Sequence, residues 1–396
     1  MKKISIIIFV TLIILGSCAK ENDLDKEENI EKQDPIIEWA NPDDIYYETL
    51  LSELQLNATA SVPGHFSYNP DFKTKLEIGN NQLLEVYFQP TDYTLYNGTR
   101  KQVYINVLSK KNPVITWENP IPILFGTLLT EQQLNAQSDI EGTFIYSPDF
   151  NKKLYPYKGH KLTLIFTPNN TVEYNTVYDT VKLDVAWDEI VFNENVTYGT
   201  MTDHEGNVYK TITVGSQTWM AENLRVTTYR NGDPIPNLEN YDDWKATSEG
   251  AFCWLNNDPE TNMDIFGALY NWYSVMDERN IAPEGWHVPT TSEWFALTGG
   301  SSSAGIAFKE VGTKHWKEPN DGVTNSTGMT ILPAGCRNTG GSFVGFADYT
   351  YSAEFWTVNE VDVEYAYVKE FKYYDNYAGN VWSTKTSGHP VRLVKD

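Results

Sequence analysis

Trp39-Ala-Asn-Pro42 returns as Trp117-Glu-Asn-Pro120, Gln55-Leu-Asn-Ala58 as Gln133-Leu-Asn-Ala136, and Phe66-Ser-Tyr-Asn-Pro-Asp-Phe72 as Phe144-Ile-Tyr-Ser-Pro-Asp-Phe150. Phe88-Gln-Pro90 returns as Phe166-Thr-Pro168 and Tyr96-Asn97 as Tyr174-Asn175, so that every pair is separated by the same 78 positions. A constant offset with no net insertion means two copies of one folding unit in tandem. Each copy must close its own core within about 76 residues, a length at which a small core is marginal. Apolar residues alternate at Leu84, Val86, Phe88 and Val103, Ile105, Val107, and again at Leu162, Leu164, Phe166 and Val181, Leu183, Val185. Alternation between Pro, Gly and Asn turns, without a helical period, predicts two small β-sandwiches, residues 35–110 and 111–187. Neither contains cysteine, so packing alone must hold them. Trp39 and Trp117 are expected in the core or between modules.

The repeated phrases resemble bacterial immunoglobulin-like repeats. That resemblance implies a stalk carrying whatever follows.

Ahead of the repeats, Met1-Lys2-Lys3 and the apolar run Ile4 to Leu15 read as a signal peptide over residues 1–17, since a dozen apolar residues fall short of the roughly 20 a bilayer span needs. Leu15-Gly16-Ser17-Cys18 resembles the lipobox of bacterial lipoproteins, which implies acylation at Cys18 and a membrane attachment through that anchor. Residues 18–34 hold seven acids and three lysines after Cys18 and scarcely an apolar residue, the composition of a solvated tether. An acidic stretch there also resembles the export tags of surface lipoproteins, which implies an outer-membrane protein facing the cell exterior.

Residues 188–396 are the part that is neither leader, tether nor repeat. The hairpin that opens them alternates Val208, Lys210, Ile212 and Val214 with Tyr209, Thr211 and Thr213, then reverses at Gly215-Ser216. Ala268, Leu269, Trp272, Tyr273 and Met276 fall at helical spacing and predict a helix over 267–278. Thr290-Thr-Ser-Glu293 is a capping box ahead of Trp294 and Leu297, with Gly299-Gly300 as the stop. The expectation is an α+β head whose two helices brace a small sheet under long loops.

The stretch Asp203 to Leu224, continuing through Tyr229-Arg-Asn-Gly-Asp-Pro, Tyr270-Asn-Trp-Tyr273, Gly285-Trp-His-Val-Pro-Thr290, Leu332-Pro-Ala-Gly335, Arg337-Asn338 and Val391-Arg392, resembles the Fibrobacter succinogenes major paralogous domain. The outline is also similar to the C-type-lectin-like fold and to the related domain of formylglycine-generating enzymes. The whole is thus expected to be multidomain, two tandem all-β immunoglobulin-like sandwiches followed by an α+β C-type-lectin-like domain. Two cysteines common in that family are here Ala282 and Leu393, which implies apolar packing in place of a disulfide. Cys253 and Cys336 are a candidate disulfide, with two buried free thiols as the alternative.

No His-Glu-x-x-His, Cys-x-x-Cys or Gly-x-Ser-x-Gly pattern occurs, and Cys253 and Cys336 do not match the close cysteine pair of formylglycine-generating enzymes. We therefore expect no enzyme; an unrecognised polysaccharide-active enzyme is the outside alternative. His287, within Trp-His-Val-Pro, is expected to be a packed, hydrogen-bonded histidine. A net charge of −23 removes the electrostatic case for nucleic acid. Nine of the twelve tryptophans lie in the head, near loops rich in Asn and Asp, which favours stacking on sugar rings. Trp244, Trp316 and Trp356 are the candidate ligand-binding tryptophans. Glu318-Pro-Asn320-Asp321 resembles the Glu-Pro-Asn motif of mannose-type C-type lectins, which makes Glu318, Asn320 and Asp321 candidate calcium and sugar ligands and calcium the one candidate cofactor. The expected partner is an extracellular glycan, with an extracellular protein, or a structural role in a surface assembly, as the alternative.

Overall fold

The computed structural model describes residues 31–344 and 351–396. Cys18 and the signal peptide lie outside the described residues. Among the described residues no helix is long and apolar enough to cross a membrane. The first repeat makes one compact unit, and the second repeat with the C-terminal region makes another.

Strand Gly79–Pro90 of the first repeat pairs antiparallel with Gly64–Asn69 on one side and Thr99–Leu108 on the other, with Phe66 opposite Phe88 and Leu84 opposite Val103. A short strand, Ile45–Tyr46, closes the sheet by running parallel to Thr99–Leu108. The ribbon Ile37–Glu38 with Thr59–Ala60 makes the second layer. The second repeat places strands at Ile123–Leu124, Gly142–Ser147, Tyr157–Pro168 and Val177–Ala186, with the same order, the same parallel closure and its own ribbon, Ile115–Thr116 with Gln137–Ser138. Each of these boundaries is the first repeat's shifted by the sequence offset. The alternating apolar residues named from the sequence are all buried.

The shared phrases have mechanical reasons. The Trp39 indole N–H donates to the Gln55 carbonyl at 3.0 Å, and the Trp117 indole N–H to the Gln133 carbonyl at 3.1 Å. Each ring meets a tyrosine edge-on, Tyr68 at 5.5 Å and Tyr146 at 5.4 Å. Those tyrosine hydroxyls accept the backbone N–H of Ala58 and of Ala136, pinning the Gln-Leu-Asn-Ala loop over the core. Glycine precedes each Phe-x-Tyr because a β-carbon on Gly64 would fall 2.3 Å from the Phe88 ring, and one on Gly142 2.4 Å from the Phe166 ring.

Within the C-terminal region the hairpin forms as expected, Val208–Val214 with Gln217–Met220, inside a five-stranded sheet that also takes in Gly199–Thr202, Val394–Lys395 and Trp286–His287. The hairpin's first strand is buried in part on both faces. Tyr209 and Thr211 are buried on one face and Ile212 on the other, whereas Val208 is 53% exposed. The cause of the Tyr209 burial is Asp203, whose Oδ1 accepts the N–H of Glu205 and Asn207 while its Oδ2 accepts the Tyr209 hydroxyl at 2.7 Å, drawing that ring into the core. The Asp-x-x-Gly-Asn-x-Tyr phrase is therefore a turn and the side chain that anchors it.

The helix expected over 267–278 is mostly absent. Ala268–Tyr270 is a strand paired with Phe252–Trp254, and only Trp272–Val275 is helical. Gly267 sits at φ +66° and hands the chain from the helix Pro259–Phe266 into that strand, so the periodic apolar residues are buried on both faces of a strand and a single turn. Met276 is left 47% exposed. The second expected helix forms as Thr291–Leu297 with its full capping box: Thr290 Oγ1 accepts the Glu293 N–H, and Glu293 Oε2 accepts the Thr290 N–H. The short helices Tyr241–Ala246 and Pro259–Phe266 were not anticipated. As a whole the structure is predominantly β.

Trp187 ends the second repeat, and it does not lead into a free linker. Its indole N–H donates to Asn262 Oδ1 at 2.9 Å, and its ring packs between Phe125 and Phe266 at 4.9 and 5.0 Å. The boundary drawn after residue 187 thus passes through a buried cluster.

Candidate functional site

Ser352–Glu360, Tyr365–Lys372 and Ala378–Thr384 form a three-stranded antiparallel sheet. Both of its faces feed the core, Ala366 and Val368 on one side and Ala353, Phe355 and Phe371 on the other. Farther along the face that carries Phe371, Tyr367 stands directly opposite Trp382, and Tyr365 meets Trp382 edge-on at 4.7 Å. Trp382 is 62% exposed, while Tyr365 and Tyr367 are half-buried. Asn380, two residues from Trp382 along the strand, is exposed on the same side. A flat indole braced by two phenols and bordered by an amide can stack on an apolar sugar face and hydrogen-bond its hydroxyls.

The three tryptophans expected to do this are core residues instead. Trp244, Trp316 and Trp356 are at most 1% exposed. The Trp316 indole N–H is spent on the Ile331 carbonyl and that of Trp356 on the Tyr270 carbonyl, while the Trp244 ring lies 4.5 Å under the Arg337 guanidinium. None has a face open to a ligand. Proximity to polar loops misled, because it does not distinguish a ring beneath a loop from one upon it.

The calcium set is likewise split. Asn320 is buried with its amide donating to the carbonyls of Glu310 and Gly312, which fixes the loop, and only Glu318 and Asp321 are exposed. Cys253 and Cys336 are free thiols, which corrects the candidate disulfide. Burial pushes the Cys253 thiol up to about 12 and raises Cys336 as well. Ala282 and Leu393 sit in one buried apolar cluster.

The signature arginines are structural. Arg337 donates from Nε to Gly341 O and from its terminal nitrogens to the carbonyls of Leu238, Glu239 and Asn240. Arg392 donates to Asn223 Oδ1 and to the carbonyls of Met329 and Thr330. His287 lies between Asp396 Oδ1 at 2.6 Å and Glu293 Oε1 at 2.8 Å. Burial opposes its charge, but the two carboxylates together hold its pKa above the ordinary imidazole value.

A cluster that sequence reasoning missed lies beneath the sheet. Cys336, Glu354 and His389 bring a sulfur, a carboxylate oxygen and a ring nitrogen within 4.8 Å of one another. Burial pulls His389 down to about 3, and burial together with the Glu370 charge pushes Glu354 up to about 7. The three residues are 18 and 35 positions apart along the chain, so no local motif announces them.

The structure therefore defines a β-rich protein with two copies of one sandwich module and a C-terminal region that presents an aromatic sheet face. Residues 212–395 match the model of the Fibrobacter succinogenes major domain, so the C-terminal region carries that domain. No curated protein matches this chain. Among solved structures, the zebrafish RET cadherin-like domains 1 to 4 are similar at 9% identity over 56% of this chain and 63% of that one, with a TM-score of 0.15. The chain spans less than two thirds of that structure, and a score so low carries no argument.

Proposed function

We propose that this is a lipid-anchored, outer-membrane surface protein whose two immunoglobulin-like sandwiches carry a C-type-lectin-like head, and that the head binds an extracellular glycan. The carrying observation is Trp382, the one tryptophan of the head exposed among the described residues, backed by Tyr365 and Tyr367. An indole held open in a rigid sheet loses apolar burial that the fold elsewhere secures for its tryptophans, and a stacking ligand restores it. The two sandwiches, without any comparable exposed indole, serve as the stalk. The lipid anchor at Cys18 rests on the leader and lipobox.

The test is an array of plant, microbial and host glycans probed with the whole chain, with calcium and again with chelator. The second repeat is kept because Trp187 is part of the head's packing. Saturable binding is expected, weakened about tenfold in Trp382→Ala through loss of roughly 1.5 kcal/mol of stacking and burial. Binding untouched by Trp382→Ala moves the site off this face. A blank array under both conditions rejects the glycan and turns the reading to an extracellular protein or a surface assembly.

A further inference from the structure

We propose that Cys336, Glu354 and His389 form a three-ligand site for a thiophilic divalent cation of the zinc class, with a fourth position left to solvent or an incoming ligand.

The three donor atoms lie within 4.8 Å of one another, and His389 Nδ1 is 3.5 Å from Glu354 Oε2. Two ligands on a tetrahedral ion, at about 2.0–2.3 Å from the metal, stand about 3.3–3.8 Å apart. His389 is wholly buried, and its Nδ1 has no hydrogen-bond partner although it is aimed into the cluster. A buried nitrogen without a partner costs about 1–3 kcal/mol, so a structure that keeps one invites a ligand there.

The surroundings orient the donors as outer-shell groups orient metal ligands. His389 Nε2 lies 2.8 Å from Ser383 Oγ, which as acceptor places the ring proton on Nε2 and leaves the Nδ1 lone pair facing the cluster. Ser352 Oγ donates to Glu354 Oε1 at 3.2 Å and leaves Oε2 free. The edge of the Trp356 ring fixes the imidazole at 4.6 Å. Backbone bridges Gly335 to Ala353, Arg337 to Gly388 and Tyr270 to His389 hold all three ligand segments in one frame. Cys336 and Glu354 are only half-buried, so an ion has an entry side.

The donor set selects the ion. Thiolate with imidazole and one carboxylate suits zinc and its neighbours, whereas calcium and magnesium want oxygen alone. On binding, a sulfur–metal bond forms as the Cys336 S–H bond breaks and its proton leaves to solvent. The imidazole coordinates through a lone pair without giving up a proton, and Glu354 coordinates as carboxylate.

The experiment titrates the metal-stripped full chain with Co²⁺ and then displaces it with Zn²⁺, following the thiolate-to-cobalt charge-transfer absorption. One equivalent is expected to bind, with the band retained when Cys18 and Cys253 are both changed to Ser and abolished in Cys336→Ser. Ser383→Ala, which spares all three ligands, is expected to weaken binding about tenfold or more. The proposal is overturned if the stripped wild-type chain shows no saturable band, or if the band survives Cys336→Ser. Because Cys336 is the one cysteine left in the double variant, loss of the band there overturns the proposal however Cys336→Ser folds. The outcome is also separate from glycan binding, since Trp382 takes no part in it.

Discussion

Replacing Arg392 by Met tests whether the Val-Arg phrase is a structural clamp. The guanidinium is wholly buried and satisfies three acceptors, Asn223 Oδ1 at 2.8 Å, Thr330 O at 2.9 Å and Met329 O. Through Asn223, whose amide donates to Phe266 O at 2.8 Å, it ties the segment after the hairpin to the loop at 329–330. Burial draws its pKa down to about 9, so it remains charged at neutral pH. Three charge-assisted hydrogen bonds at about 1.5–3 kcal/mol each give a gross contribution of about 5–9 kcal/mol. Several kcal/mol of desolvation offset that sum, leaving a net loss of about 3–5 kcal/mol when the partners are stranded. Urea unfolding followed by tryptophan fluorescence should show a lower midpoint with an unchanged slope. Arg392→Lys should recover part of the loss only, because a point charge cannot serve three acceptors spread across a planar fork. A penalty below about 1 kcal/mol for Arg392→Met would refute the clamp and mean that the loop satisfies its own carbonyls.

Three further outcomes follow from the geometry. Trp39→Phe and Trp117→Phe should each cost about 1–3 kcal/mol and agree within about 0.5 kcal/mol, since the indole bonds and ring contacts match between repeats; calorimetry of the two single variants checks this. Thr290→Ala should lose about 1 kcal/mol by removing one half of the capping box, read as a lower melting temperature. For His287 the raised pKa means that its pairing stabilises fully below the unfolded value of about 6.5 and fades as pH rises through the folded value. Glu293 is shifted down, because its hydrogen bonds from Thr290 and His287 outweigh burial, so its contribution fades on the acid side as pH falls through its own folded pKa. The melting-temperature gap between wild type and His287→Gln should therefore be widest between about pH 4.5 and 6.5 and shrink above, and a gap that grows toward pH 9 contradicts the pairing.

What could be read from the chain depended on how local the determinant was. The repeat offset located every strand of the second module from the first, because the constraint is copied residue by residue and the core alternation is written along single strands. The capping box at Thr290 was equally legible, being complete within four residues. The burial of Tyr209 was not, since Val208 and Tyr209 are both good strand residues and the choice is made by Asp203, a polar side chain whose hydroxyl partner must be buried with it. Helical spacing at 267–278 failed for a related reason: a segment packed on both faces has no polar stripe to mark its period, and Gly267 turns the chain before a helix can continue. The binding face was the hardest to see. Nine tryptophans look alike in sequence, yet eight are buried or partly buried, and what sets Trp382 apart is that its strand pairs it with Tyr367 beyond the stretch of that sheet face which Phe355, Phe371 and Ala378 bury. Cys336, Glu354 and His389 follow the same rule, since each is unremarkable where it stands and only the frame of three backbone bridges makes them neighbours. Scaffold residues answer to their sequence neighbours and so leave periods and motifs, whereas both sites are assembled from strands that meet only once the scaffold has formed.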